Sequence, residues 1–469
     1  MPEQRPHAHV RPETGWTNDP VGPIHWNGRT HLFHQVNPNG GFWDRPHWGH
    51  VVSDDLVHWE RRPVALSPDP DGADVDGCFS GSVVADGEEA SLFYTGVIGE
   101  VGLGQEQATC VARSTDPSLD LWVKDVANPI LTAPADLDLL GFRDPYVWRE
   151  DDRWWQLIGT GIPQVGGAVL LYSSGDLITW HDEGPLLTGA DLDGGEWTGS
   201  MWECPTLMRT DHGDVLLISV HDGETTHFPL AIVGHREAGR FVPRHQQRID
   251  LGPDLYAPCL LEDGSGRTVM WGWSWEARSD QRQREEGWAG VLSLPRQLEL
   301  VGDRVHVAPL PELVALREAS LGVTRIPTRA GWIAGGVEGD RLDLEFSLGP
   351  EVDGVELRLR RAPSLEEFTT LTVDRTASTV WLDRDHASQD PSAVGGRYGG
   401  RVALDPVRTE VRVILDRSIV EVFVDGRTAL TARIYPSRDD SVGIEVVGSP
   451  TAVTDTVLRA WTLGSIWAG

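Results

Sequence analysis

Three short acidic motifs lie among aromatic residues in the first half of the chain. They are Trp16-Thr-Asn-Asp19-Pro, Phe142-Arg-Asp144-Pro and Trp202-Glu203-Cys-Pro. An aspartate before a proline is by itself typical of a turn. Glu203 stands between Trp202 and Cys204 in a region of predicted strands, so we expect burial to raise the pKa of its carboxyl group. A raised pKa is what a general acid needs.

Two of these acids could cleave a glycosidic bond. That reaction needs a carboxylic acid to protonate the leaving oxygen and a carboxylate across the sugar ring, and Glu203 and Asp19 could supply this pair. Asp144 follows Arg143, whose positive charge predicts an ionised carboxylate that binds sugar hydroxyls. The chain also has 20 tryptophans, whose flat apolar faces suit sugars as well as protein cores. The combination favours carbohydrate chemistry.

Other chemistries have weaker support in the sequence. The pairs His7/His9 and His31/His34 have spacings that could ligate a metal, but on strands such spacings are more often packed or surface histidines. The four cysteines lie far apart and predict free thiols. The sequence contains no phosphate-binding glycine loop and no serine-hydrolase elbow. We therefore predict that the protein uses no metal and no cofactor.

The charge and hydropathy of the chain limit its partners. The 469 residues carry a formal charge of −31 at pH 7, a field that repels nucleic acid and anionic lipid surfaces. The sequence has no apolar run of about 18 residues, and its start lacks the apolar stretch of a signal peptide. We expect a small-molecule or oligosaccharide substrate, no nucleic-acid or membrane partner and a cytoplasmic location. The oligomeric state is left open.

A repeated segment organises the first 300 or so residues, in which short alternating apolar runs predict an all-β fold. The pattern Ser-x-Asp-Leu-x-x-Trp spans 53–59 and 174–180, and a looser copy spans 114–122. One copy is explained by turn chemistry alone, whereas three copies at similar spacing indicate propeller blades. About 300 residues at this period predict five blades, whose innermost strands can each contribute a residue to a central pocket.

A second domain follows the predicted propeller. Residues 309–320 begin with Pro-Leu-Pro and have leucines at helical spacing, which predicts a short helical linker. Beyond it, strictly alternating segments such as Leu342 to Leu348 predict strands with one buried face, and hence a two-sheet sandwich. The predicted division is a propeller over 1–308, a linker over 309–324 and a β-sandwich over 325–469.

The motifs resemble those of glycoside hydrolase family 32, the β-fructofuranosidases that include invertases, levanases and sucrose-6-phosphate hydrolases. The similarity runs along nearly the whole chain. The matching segments are Trp16-Thr-Asn-Asp-Pro-Val-Gly22, His31-Leu-Phe-His-Gln35, Trp48 to Trp59, Phe79-Ser-Gly-Ser82, Phe142-Arg-Asp-Pro145, Trp202-Glu-Cys-Pro205, Gly287 to Arg296 and Asp416 to Phe423.

The resemblance implies a five-bladed β-propeller followed by a C-terminal β-sandwich, and retaining hydrolysis of terminal β-D-fructofuranosides such as sucrose. It implies that Asp19 is the nucleophile, that Glu203 is the general acid and then base, and that Asp144 stabilises the bound fructose. The residues that it implies for substrate binding are Asn18, Gln35, Trp43, Phe79, Ser80, Arg143 and Trp275, the last in a loop of different spacing.

Four residues depart from the family's motifs. Thr17 and Val21 replace the usual Met and Asn beside Asp19, and His34 replaces a common aromatic before Gln35. Thr206 stands where the acid/base motif often has an aspartate, which removes a negative charge that could help keep the general acid protonated. Since the three carboxylates are retained, these departures affect the expected leaving group more than the reaction.

Several functions stay open at this point. A fructan-specific exohydrolase or a fructosyltransferase would use the same scaffold and the same covalent intermediate. A non-catalytic fructan-binding protein would need the tryptophans but not the paired carboxylates. An arabinan-directed propeller glycosidase would share three acids but not their Asn-Asp-Pro and Trp-Glu-Cys-Pro settings. Sucrose, sucrose 6-phosphate, levan and inulin are not distinguished as substrates.

Overall fold

The computed structural model describes residues 3–99, 105–325, 332–448 and 457–467. Within these ranges the chain is built mainly of β-strands, with one α-helix, α1 (Asp280–Glu286), and two 3-10 turns, Gly189–Asp191 and Pro311–Leu316. Among the same residues, no helix has the length and apolar character needed to cross a membrane.

Five sheets, each made around four antiparallel strands, form the first domain. Blade 1 contains β1 (Gly15–Trp26), β2 (Arg29–Asn37), β3 (His47–Ser53) and β4 (Trp59–Leu66). Blade 2 contains β5 (Gly77–Asp86), β6 (Glu89–Ile98), β7 (Glu106–Ser114), β8 (Val123–Lys124) and β9 (Leu131–Thr132). Blade 3 contains β10 (Arg143–Glu150), β11 (Arg153–Ile162), β12 (Gly166–Ser174) and β13 (Trp180–Thr188).

The last two blades complete the set. Blade 4 contains β14 (Met201–Thr210), β15 (Gly213–Asp222), β16 (Thr225–Glu237) and β17 (Arg240–Arg248). Blade 5 contains β18 (Tyr256–Glu262), β19 (Thr268–Ser274), β21 (Val291–Leu292), β22 (Arg296–Val301) and β23 (Arg304–Pro309). Between β19 and β21, the short strand β20 (Trp288–Ala289) leaves blade 5 and pairs in parallel with β1.

The first strands of the five blades form a closed ring. β1 contacts β5, β5 contacts β10, β10 contacts β14, β14 contacts β18, and β18 contacts β1 again. β20 also closes the ring, because this segment of the chain leaves blade 5 and pairs with β1 of blade 1 through backbone hydrogen bonds. The predicted five-bladed propeller is therefore confirmed, with its first strands innermost.

The path of the chain defines two ends of the propeller. Successive strands in a blade are antiparallel. One end of the propeller therefore contains the start of each innermost strand, the hairpin between the second and third strands, and the connection from the preceding blade. We call this the upper end. The turns between the first and second strands and between the third and fourth strands lie at the lower end.

The repeated tryptophan segment lies at the lower end, in the turn after the third strand of blades 1, 2 and 3. In two copies the aspartate, Asp55 or Asp176, accepts hydrogen bonds of 2.7–2.9 Å from the N–H groups two and three residues later. The next residue, Leu56 or Leu177, is buried at a φ of 65° or 64°. The repeat marks the blades, and its position is remote from the upper end.

Two six-stranded antiparallel sheets form the second domain. In spatial order, the first contains β24 (Arg317–Arg325), β35 (Val457–Leu463), β26 (Arg341–Leu348), β31 (Thr409–Asp416), β32 (Ile419–Val424) and β33 (Thr428–Arg433). The second contains β25 (Trp332–Glu338), β34 (Gly443–Gly448), β27 (Gly354–Arg361), β28 (Thr369–Asp374), β29 (Thr379–Asp383) and β30 (Arg397–Arg401). Alternate residues such as Leu342, Leu344, Leu371 and Val373 are buried in one shared core, which confirms the predicted sandwich.

The junction between the domains is short. The 3-10 turn Pro311–Leu316 lies in the predicted linker, and β24, which begins at Arg317, already belongs to the first sandwich sheet. The predicted bounds of 1–308, 309–324 and 325–469 stay a prediction.

Buried ion pairs join the two domains. Arg296 of blade 5 contacts Asp250 at 2.7 Å and Glu421 of the sandwich at 3.0 Å. His9 lies between the sandwich acids Asp416 and Glu421, at 2.8 and 3.3 Å. Burial lowers the pKa of His9, but its hydrogen bonds to these two acids outweigh this effect and raise it to about 9. The paired charges fix the sandwich against blade 5, whose innermost strand borders the site described next.

Candidate active site

Each of the five innermost strands carries a bulge near its upper end. The interrupted pairings are Thr17/Pro20 in β1, Phe79/Gly81 in β5, Arg143/Tyr146 in β10, Glu203/Thr206 in β14 and Tyr256/Cys259 in β18. A bulge inserts an unpaired residue and re-aims the neighbouring side chains. In four of the five strands the bulge ends at a proline, which cannot donate a ladder hydrogen bond. The shared position of the bulges gathers one short polar segment from every blade.

Asp19 and Asp144 are linked by contacts with residues of the neighbouring blades 2 and 4. Ser80 Oγ donates a 2.5 Å hydrogen bond to Asp19 Oδ2. Cys204 Sγ lies 3.6 Å from both Asp19 Oδ2 and Asp144 Oδ2, and the Cys204 N–H donates to Asp144 Oδ2 at 2.9 Å. Asp144 and Cys204 have φ values of 63° and 48°, the left-handed conformation that the bulges impose on them. The two aspartates therefore share one thiol between them.

Glu203 has partners for both of its carboxylate oxygens. Arg143 donates to Oε1 from Nε at 2.9 Å and from Nη2 at 2.7 Å. Tyr256 donates its hydroxyl to Oε2 at 2.6 Å. The sequence predicted that Arg143 accompanies Asp144, its neighbour in the chain. Its hydrogen bonds go instead to Glu203 in the adjacent blade.

The pKa values follow from these contacts. Burial raises the pKa of Asp19 to about 7, with the charges of Asp144 and Glu203 adding to it and the hydrogen bond from Ser80 opposing it. Burial and the charge of Glu203 raise the pKa of Asp144 to about 6, although Arg143 opposes the shift. Burial also raises the pKa of Glu203, but Arg143, His221 and Tyr256 together hold it below its ordinary value.

One expectation about charge is thus wrong, because we expected burial to leave Glu203 with a raised pKa and its pKa is lowered. We also expected Arg143 to keep Asp144 ionised. Arg143 does lower the pKa of Asp144, but burial and the charge of Glu203 outweigh it and raise the value to about 6. The guanidinium group contacts Glu203, so Glu203 has the lowered pKa and Asp144 the raised one. Since the pKa of Asp19 is raised to about 7, this carboxyl group is partly protonated near neutral pH.

The chain matches two family models over almost its full length. The glycosyl hydrolases family 32 N-terminal domain matches residues 9–309, and the glycosyl hydrolases family 32 C terminal matches residues 312–462. The chain belongs to glycosyl hydrolases family 32. It is a glycoside hydrolase, and a non-catalytic binding protein is no longer an alternative.

Relatives of this family 32 hydrolase cover both domains. It is 31% identical to a sucrose-6-phosphate hydrolase from Escherichia coli, over 93% of this chain and 90% of the relative. It is 31% identical to a levanase from Bacillus subtilis, over 99% of this chain and 71% of the relative. The solved structure of a Bombyx mori GH32 beta-fructofuranosidase mutant in complex with sucrose has a TM-score of 0.83 and 28% identity, covering 100% of this chain and 96% of that one.

The polar residues named from the sequence lie around the carboxylates of this family 32 hydrolase. Asn18 donates from Nδ2 to Gln35 Oε1 at 2.5 Å, and Gln35 donates from Nε2 to the Cys78 carbonyl at 3.4 Å. Trp16 donates from Nε1 to Asn18 Oδ1 at 3.2 Å. This chain of amides places Asn18 and Gln35 beside Asp19 with fixed orientations.

Aromatic residues named from the sequence occupy two sides of the upper end. Trp43, between β2 and β3, packs edge-to-face on Phe79 with ring centroids 5.7 Å apart. Trp275 lies 5.7 Å from Tyr256 by ring centroids and donates from Nε1 to Asp254 Oδ1 at 3.0 Å. All the site residues named from the sequence therefore lie at the upper end of the propeller, and the roles given to them stay a prediction.

Two departures from the family motifs pair with each other. Thr17 Oγ1 lies 2.7 Å from His34 Nδ1 and 2.9 Å from the Gln35 carbonyl oxygen. The hydroxyl has one proton, which goes to the carbonyl, so His34 donates from Nδ1. Burial lowers the pKa of His34 to about 4, and the ring is therefore neutral at neutral pH. Thr17 and His34 form a polar pair that supports the Gln35 backbone.

Sequence reasoning missed Tyr256, which contacts Glu203. Its signal was the dipeptide Ala257-Pro258, which repeats the Asp-Pro and Cys-Pro pattern of the other bulges, with Ala257 at a φ of 45°. Gln107 was missed as well. Its Oε1 accepts hydrogen bonds from Arg143 Nη1 at 3.3 Å and from the Phe142 N–H at 2.9 Å, so it orients the arginine.

The histidines weighed as metal ligands have other contacts. His9 contacts Asp416 and Glu421, and His34 contacts Thr17. His31 stacks on His50, with Nδ1 and Nε2 2.9 Å apart. In the part of the chain that the structure describes, no group of three or more His, Cys, Asp or Glu side chains could hold a metal ion.

Proposed function

We propose that this family 32 hydrolase cleaves terminal β-D-fructofuranosides, with sucrose and short β-fructosides as substrates, by a retaining double displacement. The observation that carries the proposal is the convergence of Asp19, Asp144 and Glu203 from three innermost strands. The thiol of Cys204 contacts both Asp19 and Asp144. The sucrose-6-phosphate hydrolase and levanase relatives support a β-fructoside as substrate. So does the fold neighbour in complex with sucrose.

In the first step, Asp19 attacks the anomeric carbon of the terminal fructosyl unit. Glu203 donates a proton to the glycosidic oxygen, the bond to the leaving sugar breaks, and a fructosyl ester of Asp19 forms. In the second step, Glu203 removes a proton from a water molecule that attacks the same carbon. The ester bond breaks, and fructose leaves with its original configuration.

The proton has to move for this reaction to begin. These pKa shifts favour a protonated Asp19 and an ionised Glu203, whereas the first step uses the opposite arrangement. Positive charge that develops on the fructosyl ring favours the ionised form of Asp19. The proton that Asp19 releases is then available to Glu203, so the two carboxyl groups exchange their protonation states as the reaction begins.

The remaining residues hold the fructosyl unit. Asp144, with its backbone fixed by a 2.8 Å hydrogen bond from its N–H to Thr95 Oγ1, accepts hydrogen bonds from sugar hydroxyls. Amide, hydroxyl and aromatic groups complete the pocket in our proposal. These groups belong to Asn18, Gln35, Trp43, Phe79, Ser80, Arg143 and Trp275.

The test compares sucrose cleavage by the wild type and by Asp19→Asn, an isosteric change that removes the nucleophile. We expect the wild type to release glucose and fructose and the variant to lose at least about 10³-fold in kcat. Asp86→Asn, at the exposed lower end of β5, is the matched control and should retain full activity. Retention of a large share of activity by Asp19→Asn would overturn the assignment.

A second measurement tests the stereochemistry. In aqueous methanol, a retaining enzyme transfers fructose to give methyl β-D-fructofuranoside, whereas an inverting enzyme gives the α anomer. The same product analysis at high sucrose separates hydrolysis from transfer, since kestose-type oligomers indicate a fructosyltransferase. Equal amounts of glucose and fructose indicate a hydrolase. The cytoplasmic location stays a prediction.

A further inference from the structure

One tryptophan at the upper end differs from the others. Trp197 lies in the connection 189–200, which leads directly into the strand that carries Glu203. Among the tryptophans whose side chains the structure describes, it is the most exposed, with 52% of its surface accessible to solvent. Its indole packs edge-to-face on His227 with ring centroids 4.6 Å apart and an angle of 87°. The ring is thus held in place while about half of it faces solvent.

The position of Trp197 is next to the general acid. The Ser200 N–H donates to the His221 carbonyl at 3.1 Å, and the Trp202 Nε1 donates to the Thr198 carbonyl at 2.8 Å. The side chain of His221 interacts electrostatically with both Glu203 and His227. Trp197 therefore lies at the upper end of blade 4, between the hairpin of β15 and β16 and the start of the strand that carries Glu203.

The chain segments around this position are acidic. The three upper-end segments 133–142, 189–200 and 222–227 contain seven carboxylates and neither lysine nor arginine. Two arginines from β17 reach the second segment, and each is paired. Arg240 contacts Asp191 at 3.0 Å, and Arg248 contacts Glu196 at 3.1 Å. A dianionic group held here would be repelled.

We propose that Trp197 forms the leaving-group subsite, where the apolar face of an uncharged hexose stacks on the exposed indole. This inference rests on the proposed function and adds the class of leaving group. A rigid indole offers a flat apolar surface at little entropic cost, and the acidic surroundings select a neutral sugar over a phosphorylated one. The subsite therefore favours sucrose over sucrose that carries a phosphate on its glucosyl unit.

The first test uses two substrates with the same fructosyl unit, sucrose and methyl β-D-fructofuranoside. We expect Trp197→Ala to lower kcat/KM for sucrose about tenfold, mainly through KM, and to change the value for the methyl fructoside less than about twofold. Trp197→Phe should retain most of the activity on sucrose. Trp381→Ala, which removes a partly buried tryptophan on β29 of the sandwich, is the control.

The losses of activity on the two substrates distinguish the subsite from other roles of Trp197. Equal losses on both substrates, or no loss on sucrose, would overturn the subsite. Failure of the wild type to cleave either β-fructoside would overturn the proposed function and this inference with it.

The second test addresses charge. We expect kcat/KM for sucrose phosphorylated on its glucosyl unit to be at least about tenfold below that for sucrose at low salt. Glu224→Arg, in the hairpin before His227, should narrow this difference. The matched control Glu88→Arg, in the lower-end turn of blade 2, should leave it unchanged. A phosphorylated substrate that is cleaved as fast as sucrose, or faster, would contradict the selection of a neutral sugar.

Discussion

Arg143 donates two hydrogen bonds to one oxygen of Glu203, 60 residues further along the chain, at 2.9 and 2.7 Å. The pair lies between the innermost strands of blades 3 and 4. It explains why the proposed general acid has a lowered pKa. Substrate binding has to change this arrangement before Glu203 can act as an acid.

Substitution of Arg143 separates its charge from its geometry. Arg143→Lys retains the positive charge, so Glu203 should keep its lowered pKa, while the loss of the two-pronged contact lowers kcat/KM about 10- to 100-fold. Arg143→Gln removes the charge, so the pKa of Glu203 rises and the alkaline limb of the kcat/KM profile moves to higher pH. The measurement is the pH profile of both variants. Identical alkaline limbs in the two would contradict the charge effect.

Removal of the Tyr256 hydroxyl should also shift the alkaline limb. The hydroxyl stabilises ionised Glu203 by a 2.6 Å hydrogen bond, and without it the pKa of Glu203 rises. We therefore expect Tyr256→Phe to remain active to higher pH, with a loss of about tenfold in kcat at the optimum. Tyr398→Phe, in the sandwich, is a control that should leave the profile unchanged. A shift to lower pH would show that Tyr256 acts in another way.

Asp19→Asn should stabilise the fold at alkaline pH. The pKa of Asp19 is about 7 in the folded state and 3.8 as the ordinary value, so the folded state binds more protons between these pH values. The contribution of Asp19 to the free energy of unfolding of the wild type therefore falls as the pH rises from about 4 to about 7. An asparagine lacks this penalty and should raise the free energy of unfolding at pH 8 by on the order of 4 kcal/mol.

Unfolding by urea at pH 4 and pH 8 measures this difference. At pH 4 the variant and the wild type should be nearly equal, since Asp19 is protonated in the folded wild type. The control Asp86→Asn should show no such dependence on pH. A variant that is less stable than the wild type at pH 8 would mean that ionised Asp19 contributes favourable contacts that outweigh its burial.

The contact between Arg384 and Asp254 links the sandwich to Trp275. Both residues are buried, and Asp254 also accepts hydrogen bonds from the Arg433 N–H at 2.6 Å and from Trp275 Nε1 at 3.0 Å. Arg384→Met leaves a buried carboxylate without its ion pair. We expect it to lower the free energy of unfolding by about 3–5 kcal/mol and to raise KM for sucrose by disturbing Trp275.

The control for this prediction is Arg438→Met, which breaks the exposed contact with Asp440 and should leave the free energy of unfolding nearly unchanged, because solvent screens an exposed ion pair. The double variant Arg384→Met with Asp254→Asn should recover part of the lost stability, because it removes the unpaired charge. If the double variant is no more stable than Arg384→Met, the ion pair is not the source of the effect.

The sequence by itself determined the architecture and the acids. Short alternating runs and a repeated turn segment predicted the propeller, because a strand that buries one face must alternate and three of the blades share the same lower turn. Asp19, Asp144 and Glu203 stood out because each precedes or adjoins a proline within an aromatic setting. These signals are local, so they can be recognised in the sequence without knowing which strands pack together.

Only the tertiary structure decided which charges meet. Arg143 is bonded covalently to Asp144, yet its guanidinium contacts Glu203, because the bulge in β10 re-aims the two side chains and the ring of strands brings β14 alongside. Tyr256 reaches Glu203 from blade 5 for the same reason. A pKa depends on distances in space and on burial, and neither can be read from the separation of two residues along the chain. The order of the three carboxyl pKa values could therefore be obtained only from the tertiary structure.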